Sequence, residues 1–322
     1  MDISIVLCCY NSAQRIAPTL EHLARQRSST LKLEIILVDN NCTDTTVTSA
    51  VQVWVKCGNP FPLKIIEEST PGLSSARKAG VYASSGEIII FCDDDNWLDI
   101  DYAWVAYNIM KENSAIGVLG GRSYPTFSIE PPHWFTTYQE GYAVGVQGID
   151  SGDVSRRGYI WGAGAVVKKK IVEKFFNSGF DFFCADREGD KLSSGGDSEL
   201  CQWHLLVGLK LWYDERLIFS HYIPENRLTK TYLSKIHAGF SASSDYLKKY
   251  RYLNRAINMQ RDGIFIKGLK VSLMLLRYIT KIIDKEEAVL HIQTIFPDRR
   301  IFSQDPVLRS LWSSYINFKS NH

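Results

Sequence analysis

Short apolar runs and amphipathic stretches alternate along the first 120 residues of the chain. Residues 3–9, 33–38, 63–66, 87–92 and 116–119 are mostly apolar and rich in Ile, Val and Leu. Runs of this length, bounded by polar residues, suit strands covered on both faces. Helical periodicity fills the gaps. Asn11 and Ser12 offer an N-cap for a helix whose apolar face is Ile16, Leu20, Leu23 and Ala24. A second helix carries Val47, Val51 and Trp54 on one side, small residues make a third over 72–83, and a fourth covers 100–110. Strand and helix alternating in this way predict a mostly parallel sheet with right-handed crossovers.

Residues 121–158 lose the periodicity and gather Pro, Gly and aromatic residues around Pro131-Pro132-His133-Trp134-Phe135, the composition of a long functional loop or lid. A strand is expected over 159–168, around Gly162-Ala163-Gly164. A helix over 197–207 follows the stretch Ser193-Ser194-Gly195-Gly196, and short strands follow at 211–213 and 217–219. Beyond Leu228 the pattern is helical, first with Tyr232, Ile236 and Phe240, later with Ile264, Leu269, Leu273, Leu276, Ile279 and Ile283. The expected division is an α/β domain over 1–226, with halves 1–120 and 121–226, and a helical basic region over 227–322.

A chain of 322 residues, 45% hydrophobic and 22% charged, has an ordinary globular composition and enough length for a core that needs no staples. The net charge of +2 conceals an asymmetry. Residues 227–322 hold 17 Lys+Arg against 7 Asp+Glu, a net of +10, which leaves 20 against 28, or −8, for residues 1–226. The seven cysteines are scattered, with no CxxC pair, and read as reduced core residues. Absence of a basic, apolar leader and of a long apolar run points to a cytoplasmic protein without a bilayer span.

Every strand of the first half ends in polar residues: Tyr10-Asn11, Asp39 to Asp44, Glu67-Glu68, and Asp93 to Asn96. The C-terminal edge of such strands is where open α/β sheets bind ligands. Asp93-Asp94-Asp95 directly after Ile88-Ile89-Ile90-Phe91-Cys92 places three like charges at the end of a buried strand, which a divalent ion would relieve. The same residues also suit a polar turn and a helix N-cap. No glycine follows the first strand, so this is not a dinucleotide fingerprint, and no Walker A sequence occurs. An EF-hand starting at Asp93 fails on Trp97, Asp99 and the missing glycine.

Tyr10-Asn11, Val38-Asp39-Asn40-Asn41-Cys42-Thr43-Asp44, Pro71-Gly72-Leu73-Ser74-Ser75-Ala76-Arg77 and Asp93-Asp94-Asp95, in that order and spacing, resemble the GT-A fold glycosyltransferases of family 2 over residues 1 to about 225. The resemblance implies a Rossmann-like sheet flanked by helices, here with a C-terminal helical appendage, and inverting transfer from a nucleotide sugar. Under it Asp39 accepts the nucleobase imide N–H, the backbone at Cys9, Tyr10 and Asn11 wraps the base beside Asn41, Gly72 allows close approach, and Arg77 neutralises the diphosphate. Asp93 and Asp95 match the D-x-D element, Asp94 being its middle position. Asp95, Asp93 and His221 are then the candidate ligands of Mn²⁺ or Mg²⁺. Asp197 in Gly195-Gly196-Asp197-Ser198-Glu199 matches the catalytic base, with Glu199 as second candidate. Lys78 and Gly196 depart from the Asn and Glu that the family often has there. Trp161 and Gly162 are expected at the sugar site. Trp134 and Tyr138 either stack on an acceptor or pack in the core.

The expected activity is metal-dependent transfer, with a UDP-sugar favoured, to a saccharide or lipid-linked saccharide acceptor in bacterial cell-surface polysaccharide or glycolipid synthesis. A sugar nucleotidyltransferase would need a glycine-rich basic loop after the first strand, which residues 10–14 lack, and a non-catalytic nucleotide-sugar module would have no use for Asp197. Lys267, Lys270, Arg277, Lys281 and Lys285 interleave with Leu269, Leu273, Leu276 and Ile283, a pattern that suits either an anionic membrane surface or a packed helix with a solvated face. No nucleic-acid partner is expected.

Overall fold

The computed structural model describes residues 1–27, 30–184, 194–260, 264–285 and 305–320, with residues 288 and 292. Ser193 and the side chains of Ile264 and Lys267, all named above, lie outside the described residues. The predicted alternation forms β1 (Ile3–Cys9), α1 (Ile16–Ala24), β2 (Leu33–Asp39), α2 (Thr46–Lys56), β3 (Leu63–Glu67), α3 (Leu73–Ala83), β4 (Ile88–Asp93), β5 (Asn96–Leu98), α4 (Tyr102–Glu112) and β6 (Ile116–Phe127). A short helix α5 (Phe135–Tyr138), β7 (Gly152–Asp153), β8 (Val166–Lys168), α6 (Lys169–Asn177), α7 (Gly196–Leu206) and β9 (Lys210–Ile223) follow. The chain then turns helical through α8 (Lys230–Gln260), α9 (Ile264–Ile279) and α10 (Pro306–Ser320).

The strands form one sheet in the order β3-β2-β1-β4-β8-β6-β9-β5, with β7 pairing to β9. β1, β2, β3 and β4 are parallel. Their register brings Cys9 opposite Asp39, Asp39 opposite Glu67, and Cys8 opposite Asp93, so the polar strand ends meet on one edge. Neighbouring strand residues project to opposite faces. Ile5, Leu7, Ile35 and Ile90 pack with Leu20, Trp54 and Tyr102 below the sheet, while Val6, Ile36 and Phe91 pack with Phe175 and Trp203 above it.

The upper core continues into the C-terminal helices, because Tyr250 and Leu253 of α8 and Leu308, Leu311 and Phe318 of α10 belong to the cluster that holds Val6 and Phe91. Phe318 stacks on Phe175 at 4.8 Å, and Trp203 Nε1–H donates to the Tyr250 hydroxyl. The helical region therefore shares its core with the sheet. α9 differs: Met274 is buried, but Leu269, Leu273, Leu276 and Ile279 are exposed. Among the described residues no helix is long and apolar enough to cross a membrane. All seven cysteines are free.

Several local expectations are corrected. Helix α1 starts at Ile16, and the Ser12 hydroxyl donates to Asp94 instead of capping it. In α2 the buried face is centred on Thr46, Ala50 and Trp54, with Val47 partly buried beside it and Val51 exposed, because packing on the sheet rotates the stripe away from Val51. Residues 121–158 are not one loop: β6 runs on to Phe127, and α5, short 3-10 turns and β7 follow. Only Val166–Lys168 of the expected 159–168 strand is extended, since Gly164 adopts φ +72° and its carbonyl accepts the Tyr102 hydroxyl at 2.6 Å. The two strands expected at 211–219 are one strand of 14 residues.

Phe318→Ala removes a buried ring from the shared core and is expected to destabilise the whole protein by about 3–4 kcal/mol in a single urea transition. A separate low-stability transition confined to the C-terminal helices would contradict the common core.

Candidate active site

Loops that leave the parallel strands are laced together by asparagine. Asn40, buried, accepts the Gly72 N–H on Oδ1 at 2.9 Å and donates from Nδ2 to the carbonyls of Glu68 and Thr70. Asn41, at φ 62°, donates to the Ser69 carbonyl, and Asn11, at φ 48°, accepts the Thr43 N–H at 2.8 Å. Asparagine tolerates this left-handed backbone. Gly72, at φ +118°, then opens α3 and aims Arg77 under the loop wall. The Arg77 side chain is almost fully buried, stands 5.6 Å over the Phe91 ring, and reaches within 3.8 Å of Asp93 Oδ1.

The acid triplet does not point one way. It occupies the tight turn between β4 and β5, an element the sequence did not suggest, and its three carboxylates meet three different arginines. Asp93 remains half-exposed beside Arg77. Asp94 turns back into the protein, where Arg15 Nε and Nη2 donate to it at 2.8 and 2.7 Å and the Ser12 hydroxyl adds a third bond. Burial pushes the Asp94 carboxyl above its ordinary range, Asp95 adds to the push, and Arg15 opposes it. Asp95 accepts Arg227 Nη1 at 2.6 Å on Oδ2 and Asn96 Nδ2 at 3.2 Å on Oδ1, with His221 Nε2 at 3.5 Å from Oδ1. The β5–β9 pairing sets Asn96 opposite His221, which brings the imidazole to this corner.

Asp197 lies in the first turn of α7 and accepts the Gly162 N–H on Oδ2 at 3.0 Å. Gly162 leaves room for Arg77, because a Cβ there would lie 2.3 Å from Arg77 Nη2 and the end of the arginine would have to shift. Gly195, at φ +133°, packs so closely on α8 that its Cβ would meet Ser243 Cβ at 2.7 Å. Helix α8 is thus a wall of the same site.

These groups line one cavity of about 1430 Å³. Cys9, Tyr10, Asn41, Gly72, Arg77, Asp93, Asp94, Asp95, Trp161, Gly162, Asp197 and His221 all reach it, as does Tyr138. It continues along α8 past Tyr232, Ile236, Phe240, Ser243, Leu247 and Arg251. Four candidates are placed elsewhere. Asp39 and Asn11 are not in its lining, and Asp39 Oδ1 accepts the Cys42 N–H at 2.8 Å. Trp134 packs against a small cluster built on Phe135, Tyr142 and Ile223. Glu199 is fully buried and accepts the N–H groups of Phe183 and Cys184 and the Tyr250 hydroxyl, with burial pushing its carboxyl up. Its period on the helix, two residues from Asp197, turns it into the core, where it ties α7 to α8. Arg15, Asn40 and Arg227 are site residues that the sequence reading missed, and Arg227 stands 132 residues from its partner Asp95.

Two carboxylates and an imidazole are ligands that Mg²⁺ or Mn²⁺ accept. His221 Nδ1 is buried and has no hydrogen-bond partner among the described residues, so the ring has capacity to reorient towards an ion. Asp93, Asp95 and His221 fit such an ion in chemistry, although among the described residues no three His, Cys, Asp or Glu side chains are grouped tightly enough to hold one as they stand.

Residues 4–191 match the family described as Glycosyl transferase family 2. A poly(ribitol-phosphate) beta-glucosyltransferase of Bacillus spizizenii is 31% identical over 121 residues, which cover 37% of this chain and 19% of that protein. A cholesterol galactosyltransferase of Borreliella burgdorferi is 29% identical over 115 residues, 35% of this chain and 30% of that one. The chain thus spans less than a third of the length of these relatives. The fold is similar to that of residues 1–349 of Staphylococcus aureus TarS in complex with UDP-GlcNAc, with a TM-score of 0.54 and 16% identity over 99% of this chain and 89% of that one.

Gly162→Ala and Arg77→Ala are each expected to lower stability, the first by about 1–3 kcal/mol through overpacking. Because the new methyl and the guanidinium need the same space, the double variant is expected to lose less than the sum of the two. Strict additivity in denaturant unfolding would rule out the contact.

Proposed function

The chain belongs to glycosyl transferase family 2, and from that premise we propose that it moves a sugar from a nucleoside-diphosphate sugar to an acceptor hydroxyl, inverting the anomeric centre. The observation that carries the proposal is that Asp197 opens into the same cavity as Arg77, Asp93, Asp95 and Arg227. A carboxylate on one side and cationic groups on the other are the two requirements of inverting transfer. Asp197 takes the proton as the acceptor oxygen attacks the anomeric carbon, and the sugar–phosphate bond breaks on the opposite face. Arg77 offers its fork to the departing diphosphate. The Gly162 N–H fixes the position of the Asp197 carboxylate in the first turn of α7.

Tyr10, Asn41 and Gly72 border the donor end of the cavity, with Asp39 assigned to the base from the strand end behind them. A uridine donor is favoured, in keeping with the UDP-GlcNAc bound to TarS. A mannosyltransferase of Pyrobaculum calidifontis, similar in fold at a TM-score of 0.51 and 14% identity over 94% of this chain and 88% of that one, was solved with GDP-Man and Mn²⁺. In this chain Asp95 and Asp93, with His221 beside them, would hold a divalent ion. Such an ion, when bound, offsets the charge that develops on the leaving diphosphate.

The cavity exceeds the roughly 300–1,000 Å³ of a single small-ligand pocket, so it has room for donor and acceptor together. On α8 the lining stripe runs from Tyr232 to Arg251, a rise of about 28 Å, which suits an extended acceptor. Tyr138 and Phe240, both exposed, offer ring faces to its sugars, and the acceptor is assigned to the saccharide or lipid-linked saccharide class of bacterial surface polymers. The exposed leucines of α9, interleaved with Lys270, Arg277 and Lys281, support docking on an anionic membrane.

Asp197→Asn is expected to lower transfer by about 10²–10⁴-fold while UDP binding, followed by calorimetry, stays close to wild type; full transfer activity in the variant would remove Asp197 from the role. Product analysis over a panel of UDP- and GDP-sugars should find a nucleoside diphosphate, whereas pyrophosphate would favour a nucleotidyltransferase. Leu273→Glu with Leu276→Glu should abolish flotation with phosphatidylglycerol vesicles, and flotation equal to wild type would exclude the α9 face.

A further inference from the structure

Arg227 is the last residue of a short turn, Glu225–Arg227, between β9 and α8. Its backbone is fixed there: the Arg227 N–H donates to the Pro224 carbonyl at 3.0 Å, and the Arg227 carbonyl accepts the Tyr142 hydroxyl at 3.0 Å. From this anchored base the side chain, 15% exposed, crosses to Asp95, whose own side chain is 4% exposed. The guanidinium also borders the main cavity, so it faces whatever occupies the space in front of Asp93 and Asp95. Burial works against the charge on Arg227, and Asp95, Tyr232 and Asp94 together outweigh that effect and keep the group cationic.

Asp95 is also the carboxylate on which a divalent ion would depend. Arg227 Nη1 already stands 2.6 Å from Asp95 Oδ2, on the carboxylate that such an ion would share. A guanidinium and a divalent ion on one buried carboxylate repel each other, and the arginine, on a long side chain, is the one that can withdraw. The cavity it already lines would bring it the diphosphate of the donor as an alternative anion.

The geometry points to Arg227 as an exchangeable counter-ion: it competes with the divalent ion for Asp95 and, once displaced, pairs with the diphosphate of the nucleotide sugar. This rests on the nucleotide-sugar assignment made above. The exchange makes the ion and the nucleotide depend on each other. An ion arriving alone must displace a guanidinium that then has no anion to meet, whereas an ion arriving with a diphosphate supplies one. Arg227 acts as a positioning and charge-balancing residue, distinct from the base Asp197 and from Arg77, which packs over Phe91 beside Asp93.

The two binding arms separate this role from a merely structural one. Arg227→Met is expected to bind Mn²⁺ alone at least about five-fold more tightly than wild type, followed by electron paramagnetic resonance without nucleotide. The same variant should bind UDP about ten-fold more weakly in the presence of saturating Mn²⁺, followed by calorimetry. In the Arg227→Met, Asp95→Asn double variant the gain for Mn²⁺ should disappear, which places it at this carboxylate. If Arg227→Met does not fold, as judged by circular dichroism, Arg227→Gln replaces it, with the same two signs expected. Loss of affinity in both arms, or an unchanged affinity for Mn²⁺ alone, would overturn the proposal. Failure of wild type to bind either UDP or GDP would instead count against the nucleotide-sugar assignment, and the Mn²⁺ arm would still decide the competition at Asp95.

Discussion

Three adjacent carboxylates at the end of a buried strand repel one another, and the site is organised around the way that repulsion is relieved. Each aspartate has its own arginine: Arg77 beside Asp93, Arg15 on Asp94, and Arg227 on Asp95. Ion pairs of this kind contribute little net stability, since desolvation offsets much of the attraction, but removing one partner leaves a costly buried charge. Their effect is therefore mainly to specify geometry. Asp94 is fixed on Arg15 and Ser12 by three bonds, and Asp93 is the most exposed of the three.

The three arginines come from distant parts of the chain. Arg15 precedes α1, Arg77 belongs to α3, and Arg227 sits just before α8. Charge balance at one turn thereby binds the N-terminal sheet to the C-terminal helices. The apolar core does the same from above, through Tyr250, Leu308 and Phe318, and Glu199 adds a polar tie to Tyr250 behind α7. With Gly195 packed against Ser243, Asp197 and the α8 wall of the cavity are positioned by the same contact. A region that composition sets apart as a basic tail is part of the site.

The strands up to residue 119 were legible because each is a run of apolar residues that must be buried on both faces, and their polar ends announced the binding edge. Asp93, Asp95, Arg77 and Asp197 stood out because short motifs carry them. Legibility failed where glycine or long-range pairing governs. The run around Gly162-Ala163-Gly164 has the composition of a strand, yet Gly164 turns the chain and Gly162 leaves room for Arg77. Residues 122–127 look like loop and are strand because residues 218–223 of β9 pair with them. Trp134 and Glu199 have the chemistry of site residues, and only the direction of their side chains removes them from the cavity.

Hydrophobic periodicity and motif order determined the α/β class, the polar edge of the sheet and the carboxylates and arginine that gather there, because those depend on contacts between near neighbours in sequence. Tertiary structure alone decided which arginine meets each carboxylate of the acid triplet, that α8 walls the cavity, and that Arg227 reaches Asp95. The reason is physical: like charges at one turn can be balanced by any cation that packing delivers, and nothing in the local sequence says which arginine will arrive.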